Sequence, residues 1–551
     1  MSKAERIERI KREKNPWEHR DEILEFARNG YASIPQEWLA VHFPLWGTYT
    51  QGDGRGVRGK AIERFMLRVR IPNGLLQSVQ LRALARLADR FGGGIADLTV
   101  RQNVQLHWVR VEDMPEILET LSRVNLTTAG TCGDDTRNIT GCPLAGFDSE
   151  EILDASPLVR EATDALVGNA EFYNLPRKFK ISITGCRSWC SYPEINDVGL
   201  TAVEREDGVK GFSLRVGGGL STHPHFGVRL NAFVLPAQVV PVVRGIAAIF
   251  RDADVLRQDR SKARLKFLFL DHGWTAHSFQ EELERRIGFS LAPAVAEELP
   301  GAEGRDHLGI RPQKQKGLYY AGLPVLRGRL TASQMSFIAD MADRYGDGQL
   351  RTTAMQNIVV VNVPQAAVEA LTYRTSNAGM PLDVSPFRRG AVACTGTEFC
   401  KLAIAETKSF ARWLVEELEE RVPGFEQSLR INVNGCPNAC GQHWIADIGL
   451  QGCQMKADGR TVEGFDVLLG GGVGRDAAFT RRVGFRAPAA EIPEALARLL
   501  GRLGHESFIA FVRRHSDAEL RSLLAGAEVD QDVEEAAAPA WPGPPPHGVE
   551  G

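Results

Sequence analysis

The chain has 551 residues, of which 43% are hydrophobic and 25% charged, and its formal net charge is −3. This length exceeds what one hydrophobic core supports and predicts several domains. The balanced charge gives no sign of nucleic-acid binding, no apolar run is long enough to span a bilayer, and the first residues lack the apolar core of a signal peptide. The few, clustered cysteines favour metal ligation in a reducing compartment, so we expect a cytoplasmic protein that binds neither nucleic acid nor membrane.

Residues 1–45 are the first predicted unit. They mix lysine, arginine and glutamate with isoleucines at helical spacing, which predicts a helical arm that packs on the body of the protein. A docking surface for an acidic electron carrier is the alternative.

The next unit, 46–125, begins with a glycine-rich loop. Its patterns then predict a strand over 65–71, a helix over 78–91, a strand over 98–109 and a helix over 114–124, an order typical of an α+β half-domain.

The second half of the chain repeats the first. Ala88-Asp-Arg-Phe-Gly92 returns 254 residues later as Ala342-Asp-Arg-Tyr-Gly346, and Gly185-Cys186-x3-Cys190 returns 250 residues later as Gly435-Cys436-x3-Cys440. The period is too long for a solenoid and predicts one duplicated unit with pseudo-twofold symmetry. The remaining predicted units are 126–300, 301–380 and 381–525, followed by a tail, 526–551, whose acidic, alanine- and proline-rich composition predicts disorder.

Four cysteines of the second copy lie in two closely spaced pairs: Cys394, Cys400, Cys436 and Cys440. Four thiolates suit a [4Fe–4S] cluster. Zinc also accepts four thiolates, but the five-residue gap of the first pair fits the usual zinc spacing less well. The first copy keeps three cysteines, and Asp148 stands where the second copy has Cys400. We therefore expect that the first copy has lost its cluster; a second cluster with Asp148 as the odd ligand is the alternative.

The motifs C-T-G-x-E-F-C at 394–400 and N-G-C-P-N-x-C at 434–440 resemble the signature of the siroheme-containing nitrite and sulfite reductases. The resemblance runs from about Trp46 to about Val483. It implies an α+β fold with two ferredoxin-like half-domains and two siroheme/[4Fe–4S]-type α/β domains. It also implies siroheme and a [4Fe–4S] cluster as cofactors, with Cys440 bridging the two. Because no flavodoxin-like or Rossmann unit is evident in the sequence, we expect electrons from a separate carrier. The resemblance implies that this carrier is ferredoxin. We also expect a monomer.

The same resemblance places four cations at the anion-binding positions of the family: Arg68, Arg137, Lys178 and Lys180. Arginine grips oxyanions and lysine supplies charge and protons. We therefore expect the two arginines to stabilise charge and the two lysines to donate protons. Each of these residues taken alone would more often be a solvated charge.

Siroheme carries eight carboxylates, so its pocket requires cations and amide donors. The residues predicted to contact the cofactors are Arg101, Gln102, Asn103, His107, Arg388, Arg389, Asn434, Asn438 and Cys440. Asn434 and Asn438 are expected to donate hydrogen bonds to cluster sulfur.

Lys178-Phe-Lys180 bears on the choice of substrate. Sulfite-reducing members of the family tend to have Lys-x-Lys here, and nitrite-reducing members Lys-x-Asn, so we expect sulfite, with nitrite as the alternative. Some sulfite-reducing relatives also join a Tyr and a Cys by a thioether near the siroheme, at positions like Tyr49 and Cys132. An unlinked tyrosine and cysteine are at least as consistent with the sequence.

Two further alternatives for the function are a non-catalytic siroheme sensor or redox scaffold and a zinc-binding structural protein.

Overall fold

The computed structural model describes residues 1–301, 306–457 and 459–526, and it mixes helices with four β-sheets. The predicted disordered tail, 526–551, lies outside the described residues apart from Gly526. Among the described helices, none combines the length and the apolar character needed to cross a bilayer.

The N-terminal arm contains three α-helices, α1 (Lys3–Glu13), α2 (Arg20–Asn29) and α3 (Phe43–Leu45), with short 3₁₀ and π-helical segments between them. A capping box starts α1, because the Glu5 N–H donates to Ser2 Oγ and the Ser2 N–H donates back to the Glu5 carboxylate. In its last turn, Lys11 is only 1% exposed. Its Nζ donates to the Leu175 carbonyl at 2.8 Å and lies 3.3 Å from Asp134. The arm is therefore fastened to the body through a buried charge.

The first half-domain consists of β1 (Thr48–Gly52), β2 (Ala61–Val69), β3 (Leu75–Gln77), α4 (Ser78–Phe91), β4 (Ile95–Leu98), β5 (Val104–Val109) and α5 (Met114–Arg123). The predicted helix over 78–91 is confirmed. The single strand predicted over 98–109 is wrong, because the chain turns back between β4 and β5. Gln102 takes a left-handed conformation there, with φ of 58°, and the Thr99 N–H donates to the Asn103 carbonyl.

The next unit consists of α6 (Ser156–Leu166), β6 (Ile181–Thr184), β7 (Val198–Glu204), β8 (Lys210–Val216), β9 (Val228–Val234), α7 (Val239–Arg251), α8 (Phe267–Asp271) and α9 (Ala276–Ile287). Its sheet has the order β6-β7-β8-β9, with β6 and β7 parallel and the other pairs antiparallel. Helices α6, α7 and α9 cover a core of aliphatic and phenylalanine side chains.

The second half-domain consists of β10 (Gly309–Pro312), β11 (Leu318–Leu323), β12 (Arg329–Thr331), α10 (Ala332–Tyr345), β13 (Gln349–Thr352), β14 (Ile358–Pro364) and α11 (Val368–Asn377). Helices α4 and α10 pack on each other, and one core runs through both half-domains.

The last unit consists of α12 (Pro386–Gly390), β15 (Ala391–Ala393), α13 (Lys408–Arg421), β16 (Ile431–Asn434), β17 (Ile448–Ala457), β18 (Arg460–Leu469), β19 (Arg481–Pro488), α14 (Ile492–Leu500), α15 (Phe508–Arg514) and α16 (Asp517–Ala525). Its sheet has the order β15-β16-β17-β18-β19, and the first three strands are parallel.

The two half-domains exchange a strand. The short β3 of the first copy pairs with β13 of the second, and β12 of the second pairs with β4 of the first. The sheets therefore have the orders β1-β2-β5-β4-β12 and β10-β11-β14-β13-β3. Each sheet contains backbone from both copies, so the duplicated units form one body.

Left-handed residues recur at the repeat spacing. Asn73 and Arg327 have φ of 53° and 55°, and Gln102 and Gln356 have φ of 58° and 61°. A positive φ costs energy in residues with a side chain, so its recurrence 254 residues later is a geometric sign of duplication.

Candidate active site

Lys178 and Lys180 lie immediately before β6 and flank Phe179. Phe179 is fully buried and forms an isolated parallel bridge with Thr136. At this bridge the Arg137 N–H donates to the Phe179 carbonyl at 2.7 Å. Because successive residues of an extended segment point to opposite sides, the lysines share the side facing away from Phe179. The bridge thus brings Arg137 beside both lysines.

Arg68, on β2, reaches the same loop. The Thr131 carbonyl accepts from Arg68 Nη1 at 3.4 Å and from Arg137 Nη1 at 2.9 Å. The four cations predicted from the sequence therefore form one group. Arg68 Nη1 also lies 3.1 Å from Cys132 Sγ, and the Gly133 N–H donates to the Tyr49 hydroxyl at 3.1 Å. Tyr49 and Cys132 thus border this loop together, and their covalent link stays a prediction.

Asp197 positions Lys180 and was missed as a site residue. Its Oδ2 accepts from the Lys180 N–H and from Arg264 Nη2, each at 2.8 Å. In the second copy, Asp447 accepts from the Arg430 N–H at 2.7 Å and also from the Arg430 side chain. Asp197 lies seven residues after Cys190, and Asp447 lies seven residues after Cys440, so the repeat marks the position without assigning it a role. Arg264 lies in no motif, so no sequence signal pointed to it.

Arg101 belongs to the same group of cations. Its guanidinium donates to Asn196 Oδ1 at 2.7 Å and to the carbonyls of Asn138 and Ile181. Burial, followed by the charge of Arg137, lowers the pKa of Arg101 to about 9. Of the side chains predicted to contact siroheme, this one lies with the anion-binding residues.

Positive charge in the group exceeds what its carboxylates neutralise. Burial, followed by the charge of Arg264, lowers the pKa of Lys178 to about 7. Burial and then the charge of Lys178 hold the pKa of Lys180 well below its ordinary range. Cys440 acts in the opposite direction on Lys178, so the cysteine of the second copy is close enough to interact with the cation group of the first.

The four predicted cluster ligands lie in the loop after β15 and in the loop after β16. The Gly435 N–H donates to Cys394 Sγ at 3.2 Å, and Cys440 is exposed. Burial, followed by the charge of Cys440, raises the pKa of Cys394 to about 11 and that of Cys436 to about 12. No three of these four described cysteines bring their sulfur atoms within 4.8 Å of one another. This separation fits a polynuclear cluster, in which each thiolate binds its own iron.

His107 lies against the cluster loop, and its predicted contact with the cofactor stays a prediction. Its ring stacks on Phe399 with centroids 3.9 Å apart, and it is fully buried. Its Nε2 lies 3.0 Å from Asp97 Oδ2 and its Nδ1 lies 3.2 Å from the amide of Gln51. If the Gln51 amide donates to Nδ1, then Nε2 carries the proton given to Asp97.

Gln102 and Asn103 also have partners inside the protein. The Gln102 amide donates to the carbonyls of Gly141 and Thr352 and accepts from the Gly141 N–H, while Asn103 Oδ1 accepts from the Ile71 N–H. Both are buried, and these contacts hold backbone segments together. Their predicted contacts with siroheme stay predictions.

The remaining predicted cofactor contacts are two arginines that pair with carboxylates and two asparagines near the cluster cysteines. Arg388 pairs with Glu419 at 2.8 Å and Arg389 with Asp306 at 2.7 Å, so each has a carboxylate partner already. Asn434 Oδ1 accepts from the Gly441 N–H at 2.6 Å, and Asn438 is exposed. Their contacts with siroheme or cluster stay predictions.

Several buried donors around the site have no hydrogen-bond partner. Within the described residues, these include Nε of Arg68, Arg101 and Arg137 and Nδ2 of Asn434. A buried N–H group without a hydrogen-bond partner destabilises the folded protein. The presence of several such groups here indicates a site that binds a ligand rich in hydrogen-bond acceptors. The donors fit a small oxyanion and the carboxylates of siroheme, and the four cysteines fit the cluster.

Comparison with protein families agrees with this geometry. The family described as "Nitrite and sulphite reductase 4Fe-4S domain" matches residues 132–291 and 385–500, and the "Nitrite/Sulfite reductase ferredoxin-like half domain" matches 59–124 and 311–374. The chain belongs to the nitrite and sulphite reductase family. Its membership confirms the predicted family and duplicated α+β fold and identifies the chain as an enzyme. The cofactors are siroheme and a [4Fe–4S] cluster, as predicted.

Individual relatives carry both activities in their names. The chain is 39% identical to the "Assimilatory ferredoxin-dependent nitrite reductase" of Haloferax mediterranei, over 87% of this chain and 86% of the relative. It is also 39% identical to the "Ferredoxin--nitrite reductase" of Synechococcus elongatus, over 93% of this chain and 98% of the relative. It is 36% identical to "Sulfite reductase [ferredoxin] 1" of Mycolicibacterium paratuberculosis, over 93% of this chain and 95% of the relative. The structure of Mycobacterium tuberculosis NirA has a TM-score of 0.88 and 36% identity, covering 93% of this chain and 97% of that one.

Proposed function

We propose that this enzyme reduces sulfite to sulfide with six electrons from ferredoxin. The observation that carries the proposal is the convergence of Arg68, Arg137, Lys178 and Lys180 on one loop and bridge. A doubly charged anion gains more than a singly charged one from each added cation. Lys180, where nitrite-reducing relatives tend to have asparagine, supplies such a charge.

The residues of the group have distinct chemical roles in this proposal. When bound, siroheme would supply an iron for the anion, and the cluster held by the four cysteines would supply a path for single electrons. Arg68 and Arg137 hold anion oxygens and stabilise their charge. Conversion of sulfite to sulfide and three waters consumes six electrons and six protons, and Lys178 and Lys180 deliver protons to the oxygens. The lowered pKa of Lys178, about 7, suits a group that gives up and regains a proton near neutral pH.

Asp197 sets the position of Lys180 in this scheme. It binds the Lys180 backbone N–H and the Arg264 guanidinium at the same time, so it fixes the backbone and leaves the Lys180 ammonium available to the anion. Asp197 therefore acts through Lys180 and is a positioning residue.

The electron donor, the cellular compartment and the oligomeric state belong to the same proposal. Ferredoxin is supported by the names of the relatives in both activity classes. A cytoplasmic enzyme is supported by nine cysteines that all lack a disulfide partner. A monomer is supported by the internal pairing of two copies, which provides the twofold arrangement within one chain.

Nitrite is the second candidate substrate. Relatives named as nitrite reductases reach 39% identity, and relatives named as sulfite reductases reach 38%. These close values keep nitrite as a candidate and locate no residue that would select it.

The substitution Lys180→Asn tests the proposal, with the exposed Lys210→Asn at the far end of the β7–β8 hairpin as the control. A hydrogen bond to a charged group is worth about 1.5–3 kcal/mol, so the ratio of kcat/KM for sulfite to that for nitrite should fall by about 10- to 100-fold. The control removes the same charge and should leave the ratio within about twofold. An unchanged ratio in Lys180→Asn would refute the assignment of Lys180 to sulfite selection.

A further inference from the structure

The first copy contains a compact group of three cysteine sulfurs outside the cluster site. The Sγ atoms of Cys142, Cys186 and Cys190 all lie within 4.8 Å of one another, and those of Cys186 and Cys190 are 3.6 Å apart. The three residues occupy positions that match Cys394, Cys436 and Cys440 of the second copy. Neither the proposed reduction nor the cofactors use them.

The spacing of these sulfurs fits one metal ion and differs from that of the cluster site. Zinc binds thiolate at about 2.3 Å, so two sulfurs on a tetrahedral zinc are about 3.8 Å apart. The Cys186–Cys190 distance of 3.6 Å is close to that value. Among the four cluster cysteines, all of which are described, no three approach within 4.8 Å. The three sulfurs of the first copy are therefore spaced for a single metal ion.

Polar groups around the sulfurs support ligation. Thr184 Oγ1 lies 3.2 Å and Ser188 Oγ 3.4 Å from Cys186 Sγ, so each hydroxyl can donate to the sulfur. Donors of this kind orient metal-binding thiolates and stabilise their charge. Three cysteines that served only as small hydrophobic side chains would not need hydroxyls directed at one sulfur.

The fourth cysteine of the cluster motif is replaced by a carboxylate. Asp148 stands at the position that matches Cys400 and is 5% exposed. Its Oδ1 accepts from the Glu150 N–H at 3.0 Å, and its carboxylate lies outside the 4.8 Å group that the three sulfurs form, so its side chain must turn inward to bind a metal. Zinc accepts carboxylate oxygen at about 2.0–2.2 Å beside thiolate ligands, whereas an iron–sulfur cluster strongly favours a fourth thiolate. The replacement therefore changes the preferred occupant of the site.

An apolar layer closes the site against the second copy. Leu144 packs with Tyr320, Val359 and Val361, which lie on β11 and β14 of the second half-domain, and this cluster includes Cys142 and Cys186. A metal here would tie the loops of the first copy together where they meet the sheet of the second. Its role would be structural, because four protein ligands leave no position for a substrate.

We propose that the first copy binds one structural Zn²⁺ ion through Cys142, Cys186 and Cys190, and that the Asp148 side chain turns inward to become the fourth ligand when the ion binds. The duplicated cluster site would then have been converted into a mononuclear site. Binding displaces the thiol protons to solvent and involves no change of oxidation state.

Metal content of the full-length holoenzyme tests this proposal. Protein is treated with chelator, incubated with one equivalent of ZnCl₂ and passed through gel filtration, and zinc and iron are measured per chain by mass spectrometry. We expect about one zinc in the wild type and in Cys453→Ser, which alters a buried cysteine outside the group. We expect a loss of at least about fivefold in Cys190→Ser, with an unchanged siroheme spectrum showing that the variant folds.

X-ray absorption at the zinc edge of the loaded wild type gives an independent measurement that needs no variant. We expect three sulfur neighbours at about 2.3 Å and one oxygen at about 2.0–2.2 Å. Four outcomes would overturn the proposal: no zinc retained by the wild type, equal zinc in Cys190→Ser, iron above the content of one cluster and one siroheme, or a thiol count showing Cys186 and Cys190 joined as a disulfide.

Discussion

Arg329 links the two copies at the cluster loop, and the substitution Arg329→Met should loosen that loop. Arg329 lies on the exchanged strand β12 and is 3% exposed in its side chain. Its guanidinium contacts Asp97 at 2.9 Å and Glu398 at 2.9 Å, and Glu398 lies between Cys394 and Cys400. Burial alone would raise the pKa of Asp97, but the charges of Arg329 and Lys408 outweigh it and hold the pKa well below its ordinary value.

The size of the destabilisation expected in Arg329→Met follows from the burial of the ion pairs that Arg329 forms. Removing one partner of a buried ion pair typically costs about 3–5 kcal/mol, because the remaining charge is left uncompensated. Lys408, 3.9 Å from Asp97, and His107 still compensate part of the charge, so we take the lower end, about 3 kcal/mol. If the cluster is lost through local opening of its loop, each 1.4 kcal/mol increases the open population about tenfold, which gives an increase of about 100-fold.

The assay is the rate at which iron is released from the cluster to a strong chelator, followed by absorbance under anaerobic conditions. The control is Arg123→Met, which removes an exposed pair with Glu119 in which the two side chains are 73% and 61% exposed. Exposed pairs contribute about 0.2–1 kcal/mol, so the control should change the rate by no more than about fivefold. A release rate in Arg329→Met that stays within fivefold of the wild type would show that this network does not hold the cluster loop.

Two further variants probe the charges around the site. Because the pKa of Lys178 is lowered to about 7, kcat/KM of the wild type should fall as the pH rises through that value. Lys178→Arg should remove this fall, since arginine stays charged, and should also lower kcat. A pH profile with the same fall in the variant would exclude Lys178 as its source. Asp134→Asn should release the N-terminal arm and speed tryptic cleavage within residues 1–30, because buried Lys11 loses a partner, whereas Asp254→Asn, at an 87% exposed side chain, should not. In the wild type, burial raises the pKa of Asp134, but the charges of Lys11 and Arg260 outweigh burial and lower it, so this stabilisation is present above the ordinary pKa of 3.8 and is lost as the pH falls below it. Pepsin cleavage of the arm that does not speed up, relative to cleavage of the body, as the pH falls below 3.8 would contradict the assignment.

Features carried by local spacing were predictable from the sequence. The two cysteine pairs and the repeat at 250–254 residues indicated the family and its duplicated fold, because a ligand motif fixes residue types over a short stretch. The amphipathic pattern over 78–91 predicted α4 to the residue. Arg68, Arg137, Lys178 and Lys180 were predicted individually, and the structure brings them to one place.

Features that depend on distant partners were not predictable. The exchange of β3 and β12 pairs residues about 250 positions apart, and nothing in a three-residue strand specifies such a partner. The turn between β4 and β5 was missed because Gln102 adopts a positive φ, which its residue type does not announce. The stacking of His107 on Phe399, almost 300 residues away, likewise has no local signal in the sequence.

The most direct test of sulfite reduction is steady-state turnover of the siroheme-loaded enzyme with reduced ferredoxin, with sulfite and nitrite measured side by side. The four converging cations, with Lys180 among them, predict a higher kcat/KM for sulfite. A clearly higher kcat/KM for nitrite would contradict this assignment and place Lys180 outside substrate selection.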